Sequence, residues 1–153
     1  MEQVKDIKTE QLLDFMNRLN FFNAFSEEEQ KEIVTSHTPV YVFSKDEPLI
    51  KEGTEDTSFY VLLTGSARVI KDGVSLPIAE FVPGDSFGEI SFLTGVPRTS
   101  NVVANEVSIV IKVEKETLAN MRIEIREKIK DNIIQNLVKR LRNMNNAFIS
   151  LLQ

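Results

Sequence analysis

Two side chains of opposite charge, Glu89 and Arg98, lie on one glycine-bounded segment that reads Gly84-Asp-Ser-Phe-Gly88-Glu-Ile-Ser-Phe-Leu-Thr-Gly95-Val-Pro-Arg98-Thr-Ser-Asn-Val-Val103. A guanidinium can hold a phosphate through two parallel N–H bonds, and Pro97 fixes φ immediately before Arg98, so the chain presents it from a stiff platform. A carboxylate cannot favour that same anion. Glu89 must instead accept from a neutral donor, and a sugar hydroxyl is the natural candidate. Gly88 lets the backbone approach a ligand closely, and a helical turn starting at Glu89 would point its free amides outward. Gly88 and Ile90 are the residues expected to offer backbone amides to a phosphate, and the hydroxyls of Thr99 and Ser100 can donate to phosphate oxygen or accept from a base amino group. The segment reads as a pocket for a small anion carrying a hydroxyl.

The chain around it falls into three blocks. Residues of about 9–36 read as one or two helices: Leu12, Leu13, Met16 and Leu19 recur at helical spacing, and Ser26 followed by Glu29 is a capping box opening a second helix. From about 39 to 113, apolar residues alternate in Val40-Val42, Phe59-Val61-Leu63, Ala67-Val69 and Val107-Ile109-Ile111-Val113. Ala79 to Val82 is also strand-like, and turns are signalled at Asp72-Gly73, Pro83-Gly84-Asp85 and Asn105-Glu106. Such a series implies an antiparallel barrel or roll. From 115 to 153 the helical period returns, first near Lys115 to Met121 and then in a long helix from about Ile125 to Leu151. Its stripe is Ile125, Ile129, Ile133, Leu137, Leu141, Met144, Phe148 and Leu151, longer than a small roll needs for its own cover.

At this point the residues carry a family resemblance. Phe87-Gly88-Glu89-Ile90-Ser91-Phe92-Leu93, followed by Pro97-Arg98-Thr99, resembles the phosphate-binding cassette of the cyclic nucleotide-binding domain family. Phe59-Tyr60-Val61-Leu62-Leu63-Thr64-Gly65 is similar to that family's first signature strand and turn, and Phe21-Phe22 through Phe25-Ser26-Glu27-Glu28-Glu29 resembles its N-terminal helix entry. The resemblance covers roughly residues 12 to 145. It implies an α+β fold: an antiparallel, jelly-roll-like β-roll of about eight strands with N-terminal helices, a short phosphate-binding helix and a long C-terminal helix, all in one domain spanning 1–153. It also implies an intracellular sensor like those of catabolite activators and protein kinase A regulatory subunits, binding a cyclic nucleotide, cAMP or cGMP, with cAMP the first expectation. In that reading Arg98 pairs with the cyclic phosphate, Glu89 accepts the ribose 2′-hydroxyl, and the ligand-binding set is Phe87, Gly88, Glu89, Ile90, Ser91, Arg98, Thr99, Ser100 and Val102. A threonine at position 99 resembles members that also accept guanine nucleotides. Asn132, Gln135 and Asn136 are candidate base contacts from the long helix, and Val74, Leu76, Phe87 and Val102 could wall the base or simply pack. The nucleotide is expected to draw that helix over the pocket.

Three departures stand out: Lys45-Asp46-Glu47 where Lys-Gly-Glu is common, Thr54 then Glu55 and Asp56 where an acid usually follows the glycine, and Ser100-Asn101 for a small-residue and hydroxyl pair. The composition narrows the classes further. The chain has no Cys and one His, His37, read as a helix cap or surface residue, so disulfides, thiolate chemistry and a His-dependent triad are not expected, nor is a metal or cofactor. With no nucleophile and base pair, an enzyme is the weakest class. No run of about 18 apolar residues is present and the first residues do not read as a signal peptide, so a cytoplasmic protein without membrane contact is expected. The net charge of −5 divides into −9 for residues 1–121 (11 basic, 20 acidic) and +4 for 122–153 (7 basic, 3 acidic). An acidic body is a poor DNA-binding face, the chain stops at Gln153 without a helix-turn-helix, and Lys139, Arg140 and Arg142 read as a solvated helix face. The expected partners are the cyclic nucleotide, an unidentified effector in trans and a second copy through the C-terminal helix. The alternative is a structural or interaction module that binds no ligand and assembles through that helix.

Overall fold

Alternation along two strands divides the interior into two cores. The structure, a computed structural model, describes residues 1–36 and 38–153; His37 lies outside them. Its strands are β1 (Glu2–Val4), β2 (Val40–Phe43), β3 (Pro48–Ile50), β4 (Phe59–Thr64), β5 (Ala67–Ile70), β6 (Ala79–Phe81), β7 (Ser86–Phe87), β8 (Asn101–Ala104) and β9 (Ser108–Val113). They pair antiparallel in two sheets, β1-β2-β9-β4-β7 and β3-β8-β5-β6. Successive side chains of a strand point to opposite faces. On β4, Tyr60 and Leu62 therefore enter the space between the sheets with Phe43, Phe81, Phe87, Val102 and Val110, while Phe59, Val61 and Leu63 face the helices with Ile111 and Val113. Because both faces are covered, Phe59 through Leu63 is buried throughout.

The helices are α1 (Thr9–Asn17), a 3-10 turn (Asn20–Phe22), α2 (Glu27–Thr35), α3 (Glu89–Thr94), α4 (Lys115–Ala119) and α5 (Ile123–Leu151). Ser26 caps α2 as its spacing predicts: its hydroxyl accepts from the Glu29 amide at 3.2 Å and the Glu29 carboxylate accepts from the Ser26 amide at 3.0 Å. Glu29 also takes Lys128 at 2.6 Å, tying α2 to α5. The Lys128 hydrogen bond, then the Ser26 amide, holds the Glu29 carboxyl below its ordinary range. The roll agrees with the expected architecture, with nine strands among the described residues where about eight were expected. The additional β1 pairs with β2 through Glu2, Gln3 and Val4. Asp46, which stands where glycine is common, takes a left-handed conformation with φ 67°.

Helix α5 changes character along its length. Ile125, Ile129 and Ile133 are buried with Leu12, Met16, Phe21 and Phe25, and Leu137 packs at the margin. Beyond it, Leu141, Met144, Phe148 and Leu151 are exposed, Leu151 to 83%. The stripe read from the sequence is thus a core face for its first half only.

Candidate functional site

Strand β7 runs into α3 through a single left-handed residue, Gly88, with φ 84°. That turn sits on the Arg98 guanidinium. A Cβ at position 88 would lie 2.9 Å from Arg98 Nη1, 3.1 Å from the Ser58 carbonyl oxygen and 3.3 Å from Ile50 Cδ1. Glycine is therefore required twice, by conformation and by space. The first-turn amides of α3 point away from the helix without intrahelical partners, as at any helix start.

Arg98 is 4% exposed. Its backbone is pinned to the loop before β4, where its amide donates to Thr54 O at 2.9 Å and its carbonyl accepts from Gly53 at 2.8 Å. Nη1 donates to Gly88 O at 2.8 Å, and Nη2 donates to Asp56 Oδ2 at 3.1 Å and to Ser58 O. Nε is buried with no hydrogen-bond partner among the described residues. Asp56 orders the guanidinium while accepting from the Ser58 hydroxyl at 2.7 Å, the Ser58 amide at 3.1 Å and the Tyr60 hydroxyl at 3.1 Å. Burial alone would push the Asp56 carboxyl up; the two Ser58 bonds, with the Lys112 and Arg98 charges, outweigh it and bring the pKa to about 2. Burial pushes the Tyr60 phenol up to about 12, and the adjacent Asp56 charge adds to the shift.

Glu89 is 2% exposed, and both of its oxygens are engaged. Oε1 accepts from Ser86 Oγ at 2.5 Å and Oε2 from Arg140 Nη1 at 2.9 Å. Arg140 comes from α5. Its Nη2 also donates to the Ser86 carbonyl, and its guanidinium carbon stands 4.8 Å over the Phe81 ring. Phe81 stacks on Phe87 at 5.1 Å and Phe87 on Tyr60 at 5.4 Å, so an aromatic column supports the arginine. Asn136, one turn earlier on α5, donates to Ser86 Oγ at 2.8 Å.

The remaining candidates scatter around this centre. Ser91 is buried in α3 and the Ile90 side chain is exposed. Thr99 is exposed, its carbonyl accepting from Lys71 Nζ at 2.7 Å, and Ser100 is half-buried. Phe87 and Val102 belong to the core between the sheets, while Val74 and Leu76 are exposed in the turn before β6. Of the three amides on α5, Asn136 reaches Ser86 beside Glu89, Asn132 donates to the Phe21 carbonyl, and Gln135 lies on the outer side beside Ile134, Val138 and Lys139. Sequence reasoning missed Asp56, Ser86 and Arg140. The helical period carried a signal for the last: Ile129, Ile133, Asn136 and Arg140 follow in steps of four, three and four, which places Arg140 on the buried face. The tail cluster that reads as a solvated face therefore divides, with Lys139 and Arg142 exposed and Arg140 half-buried over Glu89.

A model of the cyclic nucleotide-binding domain matches residues 40–124, more than half of the chain. The chain belongs to the cyclic nucleotide-binding domain family. It is 27% identical over 108 residues to the cAMP-dependent protein kinase regulatory subunit of Debaryomyces hansenii, a match covering 71% of this chain and 24% of that protein. It is 30% identical over 104 residues to the cGMP-dependent protein kinase of Toxoplasma gondii, covering 68% of this chain and 10% of that one. The chain thus spans about a quarter or less of these relatives. Among solved structures, a cyclic nucleotide-binding domain from Methylobacillus flagellatus superposes with a TM-score of 0.78 at 28% identity, over 93% of this chain and 83% of that one. The catabolite activator protein of Thermus thermophilus shares the fold, with a TM-score of 0.72 at 21% identity over 86% of this chain and 62% of that one. This is a regulatory family, and the segment from Phe87 to Thr99 lies within the matched residues. Among the described residues no helix is long and apolar enough to cross a membrane.

Proposed function

We propose that residues 1–153 form one cyclic nucleotide-binding domain, a non-catalytic cytoplasmic sensor that binds cAMP in preference to cGMP and signals through movement of its C-terminal helices to an effector supplied in trans. The observation that carries this reading is the Arg98 guanidinium. It is buried, braced by Asp56, Ser58 and Gly88, and keeps an unpartnered Nε. An orphaned buried donor of fixed charge is costly unless an acceptor meets it, and a cyclic phosphate supplies one. Phe87, Gly88, Glu89, Ile90, Ser91, Thr99, Ser100 and Val102 make up the rest of the proposed site. Kinship with a cAMP-dependent regulatory subunit supports cAMP, and kinship with a cGMP-dependent kinase, together with Thr99, makes cGMP the second nucleotide to test.

The output element is α5, because Asn136 and Arg140 link it directly to Ser86 and Glu89. Its outer face also supports a homodimer. Ile134, Val138, Leu141, Asn145, Phe148 and Leu152 recur in steps of four and three, and all are exposed or at the exposed margin of the helix. Val138, Asn145 and Leu152 take the a position of the heptad and Ile134, Leu141 and Phe148 the d position, and in a parallel pair the lone asparagine at a fixes register. Across such a seam Arg142 would face Leu137 of the second copy, so no like charges oppose each other.

One observation favours the reading as an assembly module without a ligand: protein groups take both oxygens of Glu89. Calorimetric titration of the wild type and Arg98→Ala with both cyclic nucleotides separates the two. Sensor function requires wild-type binding, with a loss of about 2–5 kcal/mol in Arg98→Ala, the range for removing one partner of a buried charge pair. Absence of binding by either nucleotide to the wild type leaves the assembly reading.

A further inference from the structure

Three segments far apart in sequence are tied together immediately beyond Arg98. Glu52 to Thr54 follow β3, Lys71 and Asp72 follow β5, and Thr99 and Ser100 lead into β8 at Asn101. Lys71 Nζ donates to Glu52 Oε1 at 2.9 Å and to the Thr99 carbonyl at 2.7 Å. The second Glu52 oxygen accepts from the Asp72 amide at 3.0 Å. Asn101 closes the ring: its Oδ1 accepts from the Glu52 amide at 2.8 Å, and its Nδ2 donates to Asp72 Oδ1 at 3.0 Å. The asparagine that stands out in the sequence as a departure thus has a structural partner on each side. The Lys71 hydrogen bond, then the Asp72 amide, holds the Glu52 carboxyl below its ordinary range. The Lys71 side chain is 48% exposed, and an ion pair that open adds little to folding stability. What it does fix is the direction of the Thr99 carbonyl.

We infer that Lys71, held by Glu52, is a positioning residue for the nucleotide site: it orients the peptide that follows Arg98 without touching the ligand. The inference rests on the sensor reading above and adds two residues to it. The Arg98 backbone is already fixed, its amide by the Thr54 carbonyl and its carbonyl by the Gly53 amide. The next joint of the chain is Thr99, which is exposed, so packing does not hold it. A trans peptide sets its C=O and N–H on opposite sides, so an ammonium on the Thr99 carbonyl also fixes the direction of the Ser100 amide. Thr99 and Ser100 carry the two hydroxyls proposed to meet the nucleotide. Holding them before the ligand arrives lowers the ordering cost of binding. Glu52 does the same for Lys71, whose four-carbon stem is otherwise flexible.

The test titrates the full chain with cAMP and with cGMP by calorimetry, as wild type, Lys71→Met, Lys71→Arg, Glu52→Gln and the double variant of Lys71→Met with Glu52→Gln. Lys31→Met, at an exposed lysine of α2, controls for the lost charge. Positioning predicts roughly ten-fold weaker binding by Lys71→Met, with recovery to within about two-fold in Lys71→Arg, which can still donate to both acceptors. Glu52→Gln leaves one acceptor oxygen for two donors, so binding should weaken, by roughly three-fold. The double variant should be no weaker than Lys71→Met alone, since both residues act through the Thr99 carbonyl. The sign for Glu52→Gln separates positioning from a field effect: were Lys71 only a charge near the phosphate, removing the neighbouring carboxylate would tighten binding. In spectra without nucleotide, the Ser100 amide resonance should shift in Lys71→Met and return in Lys71→Arg. Wild-type affinity in Lys71→Met, equal weakening in Lys31→Met, or tighter binding by Glu52→Gln each overturns the inference and leaves the sensor reading intact. Failure of the wild type to bind either nucleotide overturns the sensor reading and this inference with it.

Discussion

Replacing Gly88 by alanine probes the site at its most constrained point. The substitution forces an L residue to hold φ 84°, which costs roughly 1–2 kcal/mol in the left-handed region. It also places a methyl 2.9 Å from Arg98 Nη1 and 3.1 Å from the Ser58 carbonyl, and neither neighbour can yield freely. The guanidinium is enclosed and hydrogen-bonded on both terminal nitrogens, and the carbonyl leads directly into β4. The easiest relief breaks the 2.8 Å bond from Nη1 to Gly88 O, and a hydrogen bond to a charged group is worth about 1.5–3 kcal/mol. Together the terms give a destabilisation of about 2.5–5 kcal/mol. Gly73→Ala is the matched control, since Gly73 has φ 81° and a methyl there would meet nothing within 4 Å, so only the conformational cost of roughly 1–2 kcal/mol applies. Urea unfolding of both variants measures the difference, and titration with cAMP follows Arg98: binding should weaken in Gly88→Ala and stay at the wild-type level in Gly73→Ala. Equal destabilisation of the two variants would refute the claim that the turn is packed against the guanidinium.

Two further outcomes are expected. The Asp56 carboxyl, lowered from 3.8 to about 2, contributes stability that is fully present above its unfolded pKa and is lost as pH falls through the folded one. Its side chain is 39% exposed, so the full conversion of about 2.4 kcal/mol is reduced by solvent screening to about 1 kcal/mol. Thermal melts between about pH 4 and 2 should show this loss in the wild type and a flatter profile in Asp56→Asn. The heptad seam predicts a dimer by light scattering that becomes monomeric when the chain is cut after Asn143, which removes Asn145, Phe148 and Leu152; a full-length monomer with and without nucleotide refutes the seam.

Legibility in the sequence follows the physics of each element. β4 announces itself as a continuous apolar run, because its alternate residues go to separate cores, and β2, β5 and β9 by apolar residues at every second position. β1, β3 and β7 are two or three residues long, and β3 opens on Pro48, so partner strands rather than their own pattern define them. Glu89 and Arg98 are visible because glycines and a proline frame them on one segment. Asp56 and Arg140 carry no such frame and reach their partners from distant parts of the chain, Asp56 across 42 positions and Arg140 across 51, while Ser86 lies inside the framed segment with nothing in its residue type to mark it. Asp56 shows in the sequence only as a departure from the usual acid position, yet it is the residue that orients Arg98.

The pocket face and the proposed dimer seam share one uninterrupted helix. At about 100° per residue, Ile134, Val138, Leu141, Asn145, Phe148 and Leu152 centre roughly 120° around α5 from Arg140. The two faces are distinct, so a copy docked on the seam need not cover Arg140, and both contacts can be satisfied at once. They are nevertheless mechanically joined, because the contacts of Asn136 and Arg140 hold the helix just where Ile133 ends the buried stripe and Ile134 begins the seam. A second copy that favours one position of the helix would therefore change nucleotide affinity, and linkage requires the nucleotide to change dimerisation by the same factor. Measuring the dimer dissociation constant with and without cAMP gives the sign and size of that coupling, and an unchanged constant refutes the joint.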